Sequence, residues 1–522
     1  MAESNGSPLF LGIDLGTSSC KVALTDAQGR IRGSETRSYP LSVKPDGGVE
    51  QDPEDWWKAV GAASSTLLER SSIDRRRIRS IGATGQWSGT VAVGSDGQVL
   101  RPAVLWMDTR GEPFVRALTS GFPSVSGYRL DKLYTWLKRT GGAPAHSGKD
   151  SLAHILYLKN REPDLYRSTR FFLEPKDYLN YRLTGTFSAS WDNVVVTWVT
   201  DNRDPAAVRY DDHLFRLASL DPSKFPPLRS AIDRLGPTTP SAMANLGLSV
   251  AAEVVAGAGD MQASLIGTGC TRPSQFHLYL GTSSWLTAHV REKRTDVMHN
   301  IAALPSAIPG SYLVVATQES AGSSLAHVRE LLYGPEEHAP TFEVLSELAS
   351  QASPADGHLI YAPWLYGERA PVEDRHLRGA FFNLALGTHR PQLLRAVMEG
   401  VAYNTRWILG PVEKMARATA EPIRVAGGGA RSPLWCQILA DVLQRRVEVV
   451  EDPAYATARG AALLGAVGIG AASFDGIPDS VRTVRRCVPN PATVQVYDRM
   501  YAAYQRFHAS NTRLYHELNR PS

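Results

Sequence analysis

The chain is poor in cysteine and has no long apolar run. Its four cysteines are widely separated and form no Cys-x-x-Cys pair, which argues against a disulfide framework and against a zinc knuckle. The 13 histidines are scattered and no His-Glu-x-x-His motif occurs, so we expect no transition metal held by the protein.

Signals for export, membranes and nucleic acids are also missing. Residues 1–8 have neither a basic start nor an apolar run, so we expect no secretory signal and a cytoplasmic protein. The longest weakly polar stretch, 246–269, contains Glu253, Asp260 and many glycines, which makes it a poor membrane span. The net charge is only +4 and no run of like charges exceeds the arginines at 75–77, so we expect no nucleic-acid partner.

Common catalytic fingerprints are absent as well. There is no Gly-x-x-x-x-Gly-Lys-Ser/Thr loop, and Gly257-x-Gly259 is followed by Gln262, so neither a P-loop nor a dinucleotide fingerprint is present. Ser18-x-x-Lys21 matches the acylating-serine pattern of penicillin-binding enzymes, but their Lys-Thr-Gly and Ser-Asp-Asn motifs are missing. These absences argue against a P-loop nucleotide-binding protein, a dinucleotide-binding enzyme and a penicillin-binding enzyme.

What the chain does contain is one five-residue sequence that occurs twice. Leu-Gly-Thr-Ser-Ser at 15–19 returns at 280–284, each time after an apolar stretch that predicts a buried strand. Asp14 precedes the first copy, and a carboxylate beside a Gly-Thr-Ser turn suits a magnesium–phosphate complex. One copy alone fits an ordinary turn between strands. Two copies half a chain apart favour two similar halves, each with one phosphate loop.

The length and the local signals predict a two-domain α/β protein. A chain of 522 residues exceeds one ordinary core, and we place the domains at 8–270 and 271–515. Segment 90–250 is interpreted as a lid or insert, and the proline-rich stretch 222–240 as a surface connection. The predicted elements include a helix from Asp52–Pro53 to Arg70, a strand at 78–84, a helix over 392–407, a strand at 423–426, a helix from Ser432 to Leu443, a strand at 447–450 and a helix after Asn490.

An acid follows a glycine turn at Gly257–Asp260, apparently at the start of a helix. Asp is a favoured N-cap residue, so a structural role is one interpretation. Phosphoryl transfer to an alcohol instead needs a carboxylate that accepts the hydroxyl proton, and Asp260 is our candidate base. We expect the helix N-terminus to keep its carboxylate ionised.

Other polar stretches have two interpretations each. Gln86, Trp87 and Ser88 follow the strand at 78–84 and suit a polyhydroxy substrate, although Trp87 also fits a core position and Gln86 a loop cap. The glycines at 427–429 fit a flat ligand lying on bare backbone or a simple turn. Three further polar groups, Trp106, Asp108 and Arg110, fit a substrate contact or a structural ion pair, and Trp191-Asp192-Asn193 is a weaker candidate.

Together these stretches resemble the FGGY carbohydrate kinases, which have the actin-like ATPase fold. The matching stretches are Gly12–Ser18, Gly85–Gln86, Trp106–Arg110, Pro175–Gly185, Gly259–Asp260, Leu280–Ser283, Leu394–Val401 and Gly427–Ser432. The resemblance implies two ribonuclease-H-like domains with ATP and Mg²⁺ in the cleft between them, closing on a sugar.

Carried over residue by residue, the resemblance implies a role for each matched position. Asp260 is similar to the catalytic base and Asp14 to the acid on the magnesium side. The implied nucleotide contacts are Asp14, Thr17, Ser18, Lys21, Gly281, Thr282, Ser283, Gly428, Gly429 and Ser432, and the implied substrate contacts are Gln86, Trp87, Ser88 and Asp260.

Within the family the pattern is most similar to the xylulokinases, with one departure. Xylulokinases usually have Met-His after the Gly-Gln pair, where this chain has Trp87-Ser88, which removes an imidazole and adds bulk. We therefore expect ATP-dependent phosphorylation of a terminal hydroxyl, with D-xylulose to D-xylulose 5-phosphate as the first choice. A tetritol, a pentitol, ribulose or glycerol stays open as the substrate. So do an actin-like or chaperone-like ATP-driven module, a catalytically silent sugar sensor, and a homodimer as the assembly.

Overall fold

Two mixed β-sheets, one from each half of the chain, organise the structure. This computed structural model describes residues 6–71, 73–335 and 339–519. The first sheet has six strands in the order Arg234–Pro237, Glu253–Gly259, Ile78–Gly85, Leu9–Leu15, Ser19–Thr25 and Ile31–Ser38. The second has eight, in the order Thr295–Asp296, Ile301–Pro305, Tyr312–Gln318, Ser284–Val290, Phe276–Leu280, Ile423–Ala426, Val447–Val450 and Thr483–Cys487.

Each sheet has three parallel strands at its centre and an antiparallel hairpin beside them. In the first sheet Leu9–Leu15 runs parallel to Ile78–Gly85, which runs parallel to Glu253–Gly259. Leu9–Leu15 is buried along its whole length, as expected for a strand covered on both faces. The second sheet repeats this pattern with Phe276–Leu280, Ile423–Ala426 and Val447–Val450. Both sheets therefore present loops at the carboxyl ends of parallel strands.

Helices cover the faces of the sheets, and shorter strands complete the insert and loops. The helices are Pro53–Arg70, Glu112–Thr119, Leu130–Thr140, Ser151–Arg161, Pro163–Ser168, Pro175–Thr184, Trp191–Val194, Asp212–Ala218, Pro240–Leu246, Asp260–Gly267, Gly322–Tyr333, Phe342–Ser350, Arg390–Ala416, Pro433–Leu443, Ala456–Gly468, Ile477–Ser480 and Val494–Leu518. The short strands are Ser42–Val43, Val49–Gln51, Val91–Val93, Ala103–Val104, Ser124–Val125, Tyr128–Arg129, Phe171–Leu173, Ala189–Ser190, Thr200–Asp201, Arg209–Tyr210, Leu228–Arg229, Ile360–Ala362 and Ala380–Phe382. In the described part of the chain, no helix combines the length and apolar character that crossing a bilayer requires.

Elements with a clear capping signal lie where the sequence predicts them. The Asp52 carboxylate accepts a hydrogen bond of 2.9 Å from the Glu54 N–H, and the helix ends at Arg70. Ser432 caps helix Pro433–Leu443 by accepting from the Trp435 N–H at 3.1 Å. The interpretation of 222–240 as only a surface connection is wrong, because Arg234–Pro237 pairs with Glu253–Gly259 as the edge strand of the first sheet. The division into domains 8–270 and 271–515 stays a prediction.

Helix Ala456–Gly468 comes from the second half of the chain but packs on the first sheet. Strands Leu9–Leu15 and Ile78–Gly85 and helix Asp260–Gly267 are its main neighbours. Glycines make this close approach possible, because a Cβ on Gly12 would lie 1.8 Å from the Ala458 carbonyl oxygen. A Cβ on Gly460 would lie equally close, 1.8 Å, to the Ala263 carbonyl oxygen. Backbone contact between the helices therefore joins the two halves of the molecule.

We predict that Gly460→Ala destabilises the protein. The added methyl group meets backbone rather than a flexible side chain, and overpacking of this kind costs about 1–3 kcal/mol or more. Gly387→Ala is the matched control, because a Cβ on this exposed glycine meets nothing within 4 Å. Thermal and denaturant unfolding measure both variants. Equal midpoints for Gly460→Ala and the control would contradict the packing described here.

Candidate active site

The first hairpin places Asp14 beside a lysine. Asp14 lies opposite Lys21 in the antiparallel register of the two strands, and its side chain is buried. Burial raises the pKa of the Asp14 carboxyl, and the positive charge of Lys21 opposes that rise. For Lys21, the effect of burial is outweighed by the nearby Tyr279 and Asp14, so its pKa is raised and the ammonium stays charged. The site therefore contains a buried acid with one basic neighbour.

Side chains of Trp106 and Gln51 hold the loop that follows Asp14. The hydroxyl of Thr17 accepts a hydrogen bond of 3.0 Å from the Trp106 indole N–H, and its carbonyl accepts one of 2.7 Å from the Gln51 amide. Ser18 is exposed. Trp106 thus supports the first loop directly, and the loop presents its hydroxyl and N–H groups to the outside.

The loop of the second sheet has the same construction. The Gly281 N–H donates to the Ser283 carbonyl at 3.0 Å, and the Thr282 carbonyl accepts from the Ala321 N–H at 2.9 Å. Thr282 is exposed, as Ser18 is in the first loop. The two five-residue repeats therefore form two similar turns, each following a strand of its own sheet.

Both halves contribute to one crevice. A cavity of about 1560 Å³ is lined by Lys21 of the first hairpin and by Gly281 and Thr282 of the second loop. Tyr279, directly before the second loop, lines the same cavity and interacts electrostatically with Lys21, Asp14 and Asp260. The cavity therefore joins the second predicted phosphate loop to Lys21, which lies opposite Asp14 in the first hairpin.

The glycine turn of the second sheet forms the far wall of this cavity. Gly428, Gly429 and Ser432 line it, and a Cβ on Gly428 would meet nothing within 4 Å, so the backbone there is open to a flat ligand. The Gly427 N–H donates to the Pro453 carbonyl at 2.9 Å, which fixes the turn. The Ser432 hydroxyl, predicted as a nucleotide contact, already caps a helix and hydrogen-bonds the Ser346 hydroxyl at 2.6 Å.

Asp260 is the first residue of helix Asp260–Gly267, at the end of strand Glu253–Gly259. Its Oδ1 accepts a hydrogen bond of 2.8 Å from the Met261 N–H. Burial, and then repulsion by Asp14, raise the pKa of Asp260 to about 7, so the helix N-terminus alone does not keep this acid fully ionised near neutral pH as the sequence analysis expected. A carboxyl with this pKa accepts a proton readily near neutral pH.

Strand register brings the substrate candidates next to the base. Leu15, Gly85 and Gly259 lie side by side in adjacent strands, so the residues that follow them emerge at one edge. Gln86 is buried there, and its Nε2 donates to the Gln51 Oε1 at 3.1 Å. Its own Oε1 has no hydrogen-bond partner in the described part of the chain. An unpaired buried carbonyl oxygen at this edge suits a substrate hydroxyl.

The other two substrate candidates are held differently. The Trp87 indole N–H donates to the Asn193 carbonyl at 2.6 Å, and its ring packs against Val195 and Val196. Ser88 is buried and adopts a positive φ of 63°. Trp87 is therefore partly a packing residue, while it still borders the same strand edge as Gln86.

For Asp108 and Arg110 the structure supports the ion-pair interpretation. The Arg110 guanidinium lies 2.6 Å from Asp108 Oδ2 and also pairs with Glu50. The Asp108 carboxylate accepts in addition from the Val49 N–H at 2.9 Å. Both side chains are therefore fully engaged in holding the loops around the first sheet.

Two buried side chains, Asp192 and Lys176, hold the strand that leads to Asp260. Asp192 Oδ2 accepts a hydrogen bond of 2.9 Å from the Gly259 N–H, directly before Asp260. Lys176 is fully buried, donates to the Ala256 carbonyl at 2.9 Å and pairs with Asp177. These contacts fix the end of the strand that carries Asp260. The Pro175-Lys-Asp motif was noted in the sequence, but only the fold shows that Lys176 contacts the Ala256 carbonyl.

Comparison with known proteins agrees with this geometry. The domain models of the FGGY family of carbohydrate kinases match residues 9–267 for the N-terminal domain and 276–469 for the C-terminal domain. The chain belongs to the FGGY family of carbohydrate kinases. As a member of this family it is a sugar kinase, and the expectation of a carbohydrate kinase is confirmed.

Relatives of this FGGY kinase align over nearly its full length. It is 28% identical over 517 residues to a xylulose kinase of Escherichia coli (strain K12), covering 98% of this chain and 99% of that protein. A xylulose kinase of Bacillus subtilis (strain 168) is 27% identical over 506 residues, covering 95% and 96%. The crystal structure of a xyloylose kinase from Brucella ovis matches with a TM-score of 0.83 at 27% identity, covering 97% of this chain and all of the other. The predicted fold class, two ribonuclease-H-like domains of the actin-like ATPase type, is thereby confirmed.

We predict that Asp260→Asn stabilises the ligand-free kinase at alkaline pH. Because the pKa of Asp260 rises from 3.8 to about 7 on folding, ionising this acid opposes folding. The advantage of Asn should therefore be absent below about pH 4, grow up to about pH 7 and stay constant above it, reaching at least about 1 kcal/mol at pH 8. Thermal unfolding in EDTA between pH 4 and pH 8 measures it.

The matched control for this stability test is Asp212→Asn, which changes an exposed acid at the same position of another helix, Asp212–Ala218. Its stability should show no gain that grows with pH, because its carboxylate is solvated. A wild-type protein more stable than Asp260→Asn at pH 8 would contradict the electrostatics described here.

Proposed function

We propose that this kinase transfers the γ-phosphoryl group of ATP to the terminal hydroxyl of D-xylulose, giving D-xylulose 5-phosphate. The observation that carries the proposal is the strand register that places Gln86 and Asp260 directly after the neighbouring ends of two adjacent strands, in the sheet whose next strand carries Asp14. The full-length similarity to proteins named xylulose kinase supports the choice of sugar.

In this proposal the two loops hold the phosphates from opposite sides. Thr17 and Ser18 of the first loop and Thr282 and Ser283 of the second supply N–H and hydroxyl donors to anionic oxygens. Lys21 adds a positive charge between them. The base and ribose lie along the open backbone of Gly428 and Gly429, where no Cβ intervenes.

Asp14 is the residue we assign to Mg²⁺, directly or through water. A buried carboxylate that repels a second carboxylate, Asp260, and has one lysine as a counter-charge fits a hard divalent cation. When bound with ATP, the ion supplies positive charge that the γ-phosphate needs during transfer.

Asp260 accepts the proton in the transfer step. The terminal hydroxyl oxygen of the sugar forms a bond to the γ-phosphorus while the bond from that phosphorus to the β–γ bridging oxygen breaks, and ADP leaves with that oxygen. The hydroxyl proton passes to the Asp260 carboxylate. Asp260 Oδ1 is oriented by the Met261 N–H, and the Asp192 contact to Gly259 fixes the backbone in front of it.

We predict that D-xylulose gives the highest kcat/KM in a coupled ADP-release assay over pentuloses, tetritols, pentitols and glycerol. The alternative is a smaller or less polar polyol, because Trp87 fills space and Ser88 lacks an imidazole. A higher kcat/KM for any other compound of the panel would replace D-xylulose as the substrate while leaving the kinase assignment intact. Sugar binding without ADP release would favour a silent sensor, and ATP hydrolysis that a protein but no sugar stimulates would favour a protein-directed module.

We also predict that Asp260→Asn lowers kcat by about 10²–10⁴-fold while ATP still binds. The amide cannot take the hydroxyl proton, yet the nucleotide contacts lie on other residues. Turnover is measured by ADP release and ATP binding by calorimetry, with Asp212→Asn as the control that keeps both. Wild-type turnover in Asp260→Asn would remove this acid from the mechanism.

A further inference from the structure

A loop and the last helix bring three metal-binding side chains together away from the crevice. Within residues 6–71, 73–335 and 339–519, Asp374, His376 and His516 form a group in which one ligand atom from each residue lies within 4.8 Å of the other two. His516 lies in the last turn of helix Val494–Leu518, and 142 residues separate it from Asp374. Packing of the terminal helix is therefore what assembles the group.

The distances within this group are short. His516 Nε2 lies 2.7 Å from Asp374 Oδ2, and His376 Nδ1 lies 3.4 Å from Asp374 Oδ1. The two imidazole rings are 4.5 Å apart between centroids. His376 Nδ1 is buried and has no hydrogen-bond partner in the described part of the chain. Two imidazole rings beside one carboxylate, with a buried ring nitrogen that makes no hydrogen bond, form a donor set that suits a metal ion.

Neighbouring groups fix the backbone of two of these residues. The Asp374 N–H donates to the Glu368 carbonyl at 2.9 Å, and the Glu368 N–H donates back to the Asp374 carbonyl at 3.0 Å. The Asn519 amide donates to the His376 carbonyl at 3.0 Å. The loop that carries the first two residues of the group is therefore fixed before any ligand arrives, which favours binding.

We propose that Asp374, His376 and His516 bind a divalent transition-metal ion of the Zn²⁺ class. Two imidazole nitrogens and one carboxylate oxygen are a common zinc donor set that leaves a fourth position for water, whereas Mg²⁺ prefers oxygen ligands. Zinc bonds of about 2.0–2.1 Å place tetrahedral ligand atoms about 3.4 Å apart. The His376 Nδ1–Asp374 Oδ1 separation of 3.4 Å has this value, and the His516 Nε2–Asp374 Oδ2 separation, to the other carboxylate oxygen, needs to widen from 2.7 Å to about 3.4 Å.

The position of the site indicates what a bound ion does. Arg375, between two of the ligands, forms an ion pair with Glu112 of the first half of the chain. A metal ion would tie the terminal helix to the loop that makes this contact between the halves. The site is therefore structural, and it lies outside the crevice of the kinase reaction. The sequence analysis expected no transition metal held by the protein, because these three ligands share no short motif.

Zn²⁺ titration of the full chain tests the proposal. Protein stripped with chelator is titrated with ZnCl₂ by calorimetry in excess Mg²⁺, so that oxygen sites are already filled. We expect one Zn²⁺ per chain and a higher melting temperature than in EDTA. His376→Gln and His516→Gln should each weaken Zn²⁺ binding at least about tenfold, because each removes one of three ligands.

His358→Gln is the matched control, since His358 contacts Arg499 of the same terminal helix but lies outside the group. It should keep wild-type affinity. Co²⁺ added to the wild-type protein provides a readout that needs no variant, because imidazole and carboxylate ligands produce visible absorption bands. Failure of the wild type to bind Zn²⁺ at one per chain, or unchanged affinity in both His376→Gln and His516→Gln, overturns the proposal.

Discussion

Two carboxylates, Asp14 and Asp260, are buried close enough to repel each other, and much of the structure serves to keep them there. Each sits at the end of a central strand of the first sheet, and each has a raised pKa. Isolated buried charges are costly, so a fold keeps such a pair only where a partner compensates it. Lys21 compensates part of the charge, and the Mg²⁺ ion that we propose beside Asp14 would compensate more.

Buried side chains hold the backbone beside Asp260 in place. Asp192 holds the Gly259 N–H, and Lys176 holds the Ala256 carbonyl, so the strand that carries the base is fixed by buried side chains of the insert. The first loop is anchored by Trp106 and Gln51 and the second by the backbone of Ala321, while Ser18 and Thr282 are exposed. A fixed base and open phosphate loops suit an enzyme whose nucleotide arrives from solvent and whose proton acceptor must be aligned within a fraction of an ångström.

The sequence predicted features whose cause is local. Asp52 and Ser432 cap their helices through contacts with residues two or three positions away, so the local sequence is enough to predict each contact. The repeated Leu-Gly-Thr-Ser-Ser turns were predicted for the same reason. The ionisation of Asp260 was not, because burial and the charge of Asp14 are set by strands distant in sequence. The contact of Asp192 with Gly259 spans 67 residues, and no spacing rule reveals it.

The sequence alone also does not show that helix Ala456–Gly468, from the second half of the chain, packs on the first sheet. This packing connects the helix that carries Asp260 to the glycine turn at Gly427. The Pro453 carbonyl fixes Gly427 at the adenosine side, and helix Ala456–Gly468 begins directly after that segment. The same helix lies against helix Asp260–Gly267 through Gly460, and Arg459 donates to the Gly267 carbonyl at 3.1 Å. The Gly427–Pro453 hydrogen bond and the approach of Gly460 to Ala263 have backbone on both sides, so little side-chain freedom separates these segments. The glycine turn at Gly427 and the helix that carries Asp260 are therefore connected through one closely packed stretch of chain, residues 453–468.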